Sequence, residues 1–261
     1  MHNTSISTGF NYDIPIFEQI PMIKEAGFTH ISLGMDYSHS GLLEEERLNQ
    51  LYDAIINAGL KVDTIHGYDL DQPDYLEVNE KVAKAAKKLG AKTVVVHCSA
   101  FEFPDTQYED KYAIVSKRIK NIKYIAEKNN VKFAFENVVP GLPTKLCEEM
   151  IEIGNSDYIG FCYDSSHDQI DGPRNMELLC RQNNKLTAVH LSDRIKEFVD
   201  HVIPGEGFIN FDEMLPLLKQ SGFDGPILME VEMTHSKYKN IKEFLKKAHE
   251  AADRFANYLY R

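Results

Sequence analysis

Apolar and polar positions follow two periods along this chain, and the two take turns from one end to the other. Short β-rich segments lie at Thr4–Gly9, Thr29–Leu33, Lys61–His66, Thr93–His97, Lys132–Glu136, Ile159–Asp164, Leu186–His190 and Ile227–Glu232. Between them, Leu42–Ala58, Val78–Leu89 and Tyr112–Lys128 carry apolar side chains three and four positions apart, the spacing of a helix with one buried face. Glycine follows at Ala26-Gly27, Ala58-Gly59, Leu89-Gly90 and Ser221-Gly222, where it supplies the left-handed residue that ends a helix. Over 261 residues this is about 33 residues per strand–helix unit, the arithmetic of a (β/α)8 barrel. A doubly wound open sheet alternates in the same way, but no Gly-rich fingerprint follows the first strand. No Pro/Gly/Ser-rich linker divides the chain. The expected fold is α/β, a TIM barrel forming a single domain over residues 1–261.

Composition changes this picture little. The chain has 40 acidic and 29 basic side chains, a formal charge of -11, and is 43% hydrophobic, an ordinary globular balance. That charge argues against a nucleic-acid or anionic-membrane partner, both of which reward clustered Lys and Arg. The opening MHNTSISTGF lacks the basic start and apolar stretch of a secretory signal, and no apolar run reaches bilayer length. Cys98, Cys147, Cys162 and Cys180 are widely spaced with no CxxC pair, and read as reduced core thiols. The expectation is a cytoplasmic protein.

The chemistry stands at the strand ends. The third segment closes on His66, the fourth on His97, the fifth on Glu136, the sixth on Asp164 and the seventh on His190. The eighth closes on Glu230, with Glu232 two residues beyond. In a barrel all strands deliver their C-terminal ends to one face, so these residues would converge on one cavity. Several carboxylates near one axis repel each other, and a divalent cation relieves that. Glu136, Asp164, His190 and Glu230 make a mixed O/N donor set for such an ion. Glu230 is preferred over Glu232 because it lies nearer the apolar run. His2, His30, His39, His235 and His249 read as surface or structural groups.

Two loops add detail. In Asp164-Ser165-Ser166-His167, a helical turn would point Asp164 and His167 into the same cavity. After the seventh strand, HLSDR leads to Asp200-His201-Val202-Ile203-Pro204-Gly205-Glu206-Gly207, whose Pro-Gly and Gly read as a tight turn that could carry His201 over the barrel mouth. With no tryptophan in the chain, stacking on a ligand falls to Tyr37, Tyr68 or Phe101. Lys145, Arg174 or Arg194 could meet a phosphate.

These pieces carry a family likeness. FAFEN with Glu136, YDSSH with Asp164 and His167, VHLSD with His190, HVIPGEGFINF with His201 and GPILME with Glu230 resemble the sugar phosphate isomerase/epimerase superfamily. These are the xylose isomerase-like barrels that include ketose 3-epimerases, hydroxypyruvate isomerase, inosose dehydratase and endonuclease IV. The likeness spans the C-terminal half; IHGYD and VVVH extend it into the N-terminal half. It implies one divalent metal, manganese first with zinc, magnesium or cobalt as alternatives, held by Glu136, Asp164, His190 and Glu230. It also implies Glu136 and Glu230 as acid and base on opposite faces of a sugar, with His66, His97, His167 and His201 toward the substrate. The epimerases usually carry arginine where this chain has His201, and other superfamily members carry histidine there. Relatives often form dimers or tetramers, so the likeness also implies a homo-oligomer.

The implied activity is a metal-dependent isomerase or epimerase of a sugar or small hydroxy-ketone, working by glutamate-mediated proton transfer through an enediolate. Dehydration of a keto-cyclitol is an alternative on the same scaffold. So is cleavage of abasic-site DNA: endonuclease IV uses counterparts of His66, His97, His167 and His201, alongside those of Glu136, Asp164, His190 and Glu230, to hold three zinc ions. Val199 stands where that enzyme has a second metal-binding aspartate. A non-catalytic sugar-binding barrel is a further alternative.

Overall fold

Each of the eight β-rich segments is a strand in the computed structural model, which describes residues 2–197 and 199–261. They are β1 (Thr4–Ser7), β2 (His30–Leu33), β3 (Lys61–His66), β4 (Thr93–Val96), β5 (Lys132–Glu136), β6 (Ile159–Asp164), β7 (Leu186–His190) and β8 (Ile227–Met229). A helix follows each in turn: α1 (Ile16–Ala26), α2 (Glu45–Asn57), α3 (Tyr75–Leu89), α4 (Tyr108–Asn129), α5 (Leu142–Gly154), α6 (Glu177–Gln182), α7 (Phe211–Gln220) and α8 (Ile241–Leu259). No helix among the described residues is long and apolar enough to cross a membrane.

The strands run parallel in sequence order from β1 to β7, and β8 pairs with the far edge of β1. Between β7 and β8 a single parallel bridge joins Leu191 to Met229, and Leu191 accepts from the Glu230 N–H at 3.1 Å. The sheet thus closes on itself, which periodicity alone did not distinguish from an open sheet.

Strand alternation divides large from small side chains. On β5, Phe133 and Phe135 point outward into the shell between strands and helices, whereas Ala134 and Glu136 point inward. Phe161 and Tyr163 on β6 and Val189 on β7 join the outer shell. Burying each such large apolar side chain is worth about 1.5–3 kcal/mol, so this shell carries most of the hydrophobic stabilisation. Inside, Val95, Ala134, Cys162 and Ala188 form a small separate layer. One alternation further along lie Glu136, Asp164 and His190. A layer of small residues therefore forms the floor on which the polar ones stand.

Several boundaries differ from the sequence reading. The helix expected at Leu42–Ala58 begins at Glu45, after a short turn over Tyr37–Ser40. Those expected from Val78 and Tyr112 begin at Tyr75 and Tyr108. β8 stops at Met229, because Glu230 and Glu232 bond instead to Leu191 and to His201 in the preceding loop. Gly27, at φ 106°, takes the left-handed cap expected of it. Cys98, Cys147 and Cys162 are buried, but Cys180 on α6 is exposed, against the expectation of a core thiol.

Candidate metal centre

Glu136 is the hub of the barrel mouth. Its Oε1 lies 3.0 Å from His190 Nδ1, and its Oε2 lies 3.1 Å from His66 Nε2 and 3.4 Å from His97 Nε2. Glu230 Oε2 stands 2.7 Å from the same His190 Nδ1. One ligand atom from each of Glu136, Asp164, His190 and Glu230 falls within 4.8 Å of the others. His66, His97 and Glu136 form a second such group, and Asp164, His167 and His201 a third. Glu232, by contrast, is exposed at the rim.

Two atoms of the first group are buried without a hydrogen-bond partner, Asp164 Oδ2 and His190 Nε2. Leaving a buried polar atom unpaired costs about 1–3 kcal/mol, so both atoms await a partner. Three carboxylates and one imidazole are the donor chemistry of a divalent cation that accepts oxygen and nitrogen together. The residues present therefore fit a metal. Cys162 also comes within ligand distance of Glu136 and His190, but burial pushes its thiol well up and keeps it protonated.

The electrostatics show the same demand for positive charge. Burial pushes the Glu136 carboxyl up, yet the charge of His190 and hydrogen bonds from His190, His66 and His97 hold it well below the usual range. Glu230 is brought to about 2, with His190 outweighing burial. Burial would lower His97 and His201, but Asp69 and Glu136 raise the first to about 10, and Asp200, Asp164 and Glu230 raise the second to about 9. Asp164 goes the other way, raised chiefly by burial. Protons on the histidines do here what a cation would do.

Local structure delivers each group. Asp164 caps the helical turn Ser165–Asp168 by accepting the His167 N–H at 2.7 Å, so both side chains enter the mouth. Asn137 holds the Asp164 backbone from both sides, at 2.8 and 2.9 Å. The loop after β7 winds around Asp193, whose carboxylate accepts backbone N–H groups of Arg194, Gly205, Gly207 and Ile209. A Cβ on Gly207 would lie 2.2 Å from the Arg194 carbonyl oxygen, so only glycine fits that wrap. His201 sits in the left-handed region at φ 51°, and its carbonyl accepts the Glu232 N–H at 2.6 Å.

Arg194 does not meet a ligand. It is buried, donating to the Ser166 carbonyl at 2.8 Å and to Asp200 at 2.7 Å, and so ties the His167 turn to the His201 loop. Lys145 pairs with Glu149 and Arg174 with Asp171, both away from the mouth. The phosphate-binding role considered for these three is not what the structure gives them. Tyr37 donates to the His66 carbonyl from beneath the loops, and neither it nor Tyr68 lines the mouth. Phe101 does, with its ring edge-on to His167 at 4.9 Å.

The mouth cavity measures about 200 Å³. No Lys or Arg is among its described lining residues. The sequence reading missed Tyr12, which lines it together with Met35, Gly9 and Gly34. A Cβ on Gly34 would come within 2.6 Å of the Tyr12 hydroxyl oxygen, and one on Gly9 within 3.0 Å. The available signal was negative: β1 and β2, alone among the strands, lead into glycines rather than ligands.

Comparison with known proteins bears on this arrangement. Residues 20–251 match the family described as xylose isomerase-like TIM barrel. Among curated relatives, an inosose dehydratase of Clostridium perfringens is 21% identical over 55% of this chain and 59% of that protein. Among solved structures, the IolI protein with a bound zinc atom superposes with a TM-score of 0.81 at 20% identity, covering 98% of each chain. A D-tagatose 3-epimerase-like protein superposes at 0.76 and 21% identity, over 100% of this chain and 97% of that one.

Proposed function

The chain belongs to the xylose isomerase-like TIM barrels, and from that premise we propose that it is a divalent-metal-dependent isomerase or epimerase of a sugar or small hydroxy-ketone. The observation that carries this reading is the pair Glu136 and Glu230, both within reach of His190 Nδ1, beside the unpartnered Asp164 Oδ2 and His190 Nε2. Glu136, Asp164, His190 and Glu230 would hold the ion. Bound there, it would supply the positive charge that acidifies a C–H beside a carbonyl and steadies an enediolate. The oxygen-rich set favours manganese, with zinc, magnesium or cobalt as alternatives. The zinc atom in the IolI structure supports a divalent ion in this class of site.

The remaining steps belong to the protein. One glutamate removes the proton and the other returns one; return to the same carbon is epimerisation, and return to its neighbour is isomerisation. His66, His97, His167 and His201 line the cavity as donors to substrate oxygens. Ligand residues come from the β3–β8 side, so the glycine-lined side at β1 and β2 leaves room for the substrate, with Tyr12 and Phe101 as its walls. The absence of Lys and Arg from the described lining favours an uncharged substrate over a phosphorylated one. The inosose dehydratase relative keeps dehydration of a keto-cyclitol in view.

Metal analysis of the purified protein, with a ketose panel followed in D2O, tests the proposal. Deuterium appearing at one sugar carbon supports it; failure to bind metal on reconstitution overturns it. A second reading, abasic-site endonuclease, draws on the three ligand groups that share Glu136 and Asp164. Nicking of abasic-site DNA by metal-loaded protein would favour it.

A further inference from the structure

We infer that the opposite end of the barrel carries a separate binding site for an organic phosphate. A cavity of about 690 Å³ opens there, framed by residues at or just before the starts of several strands. Lys61, Lys88, Lys92 and Lys132 line it. In a chain of charge -11 such a concentration of ammonium groups runs against the overall balance. The lysines that reach a carboxylate lie elsewhere, on helix faces. Lys88 is engaged by the Asn49 side chain, which leaves Lys61, Lys92 and Lys132 without an anionic partner among the described residues.

One histidine also faces the cavity. His30, at the start of β2, is only 8% exposed, and its Nδ1 lies 2.8 Å from the Thr29 hydroxyl. Its Nε2 has no partner among the described residues, although the ring lines the cavity. The Thr29 hydroxyl gives its proton to the Thr4 carbonyl at 3.0 Å, so it accepts from His30 Nδ1–H, and Nε2 keeps a lone pair. Burial, with Lys61 adding to it, lowers His30 to about 4, so the ring is neutral near pH 7 and adds no charge to the cavity. Two acids also line the cavity, Asp63 and Asp224. Burial raises Asp63 to about 7, so they subtract less than two charges from the four lysines near neutrality.

The rim shows what the phosphate would be attached to. Tyr52 and Ile56 lie one turn apart on α2 and are 38% and 52% exposed, an apolar shelf beside the lysines. Ammonium groups beside an exposed aromatic ring suit a phosphate joined to a flat, weakly polar body.

Titration calorimetry with inorganic pyrophosphate and, separately, with adenosine diphosphate tests the site on the intact chain. Both probes bind, and Lys61→Gln/Lys92→Gln/Lys132→Gln weakens each by about tenfold or more. Tyr52→Ala weakens the nucleotide but not pyrophosphate. Glu136→Gln, at the other end of the barrel, leaves both affinities unchanged. No binding of either probe, or equal affinity in the triple variant, overturns the site. Loss on Glu136→Gln assigns the phosphate to the mouth and overturns it equally. An equal effect of Tyr52→Ala on both probes overturns the apolar part.

Discussion

His190 Nδ1 meets Glu136 Oε1 at 3.0 Å, joining β7 to β5 across the interior and past the intervening β6. The contact exists because Ala134, Cys162 and Ala188 beneath it are small enough to let the strand ends lean together. It makes Glu136 a structural tie across the mouth as well as one of the two carboxylates of the proposed proton transfer.

Glu136→Gln and Glu230→Gln should each lower turnover by about 10²–10⁴-fold, the range for loss of a general acid or base. Near-unchanged far-UV circular dichroism would accompany the loss. Full turnover in either variant would remove that residue from the chemistry.

Metal-stripped protein should lose stability as the solution becomes alkaline. His97 and His201 stand at about 10 and about 9 against an ordinary 6.5, so their contribution is complete below 6.5 and is lost as pH rises through 9 to 10. Asp164, raised by burial, adds to the cost once ionised. Glu230, at about 2 against an ordinary 4.5, contributes above 4.5 and loses this as pH falls toward 2. Thermal melts in chelator should therefore fall from pH 6 to pH 10, and added manganese should flatten that decline by replacing the protons. A flat profile in chelator would contradict the charge balance described here.

Gly34→Ala should close the mouth from the β2 side. The new Cβ, 2.6 Å from the Tyr12 hydroxyl oxygen, pushes that ring aside while the barrel itself is untouched. The expected result is a raised KM at nearly unchanged melting temperature, with Tyr12→Phe in the same chain restoring part of the affinity. An unchanged KM would mean that Tyr12 does not border the substrate.

Arg194→Met should cost about 3 kcal/mol, because it strips a buried cation from Asp200 and removes the side-chain donor that ties the Ser166 carbonyl to the β7 loop. Arg194→Lys should recover little, since one ammonium cannot reach both partners in the same plane. Denaturant unfolding of the two variants measures this, and a lysine variant as stable as wild type would refute it.

Much of this architecture was legible in the order of residues. Strand alternation has a period of two, so a segment such as Phe133-Ala134-Phe135-Glu136 declares which side chains face the helices and which face the axis. Repeated at strand after strand, that rule puts His66, His97, Glu136, Asp164 and His190 at one end of the barrel. Other features depend on where distant segments come to rest, which no local pattern encodes. Tyr12 borders the mouth because Gly9 and Gly34, just beyond the ends of β1 and β2, leave it space. Arg194 is a buried tie rather than a ligand-binding cation because the β7 loop folds back over it. Glu230 rather than Glu232 approaches His190 because the chain leaves the β8 ladder after Met229 and follows the β7 loop. The sequence by itself determined the strand faces and the ligand types, since these follow from short-range geometry. Tertiary structure decided the walls of the mouth and the pairing of its charges, since both arise from contacts between residues far apart in the chain.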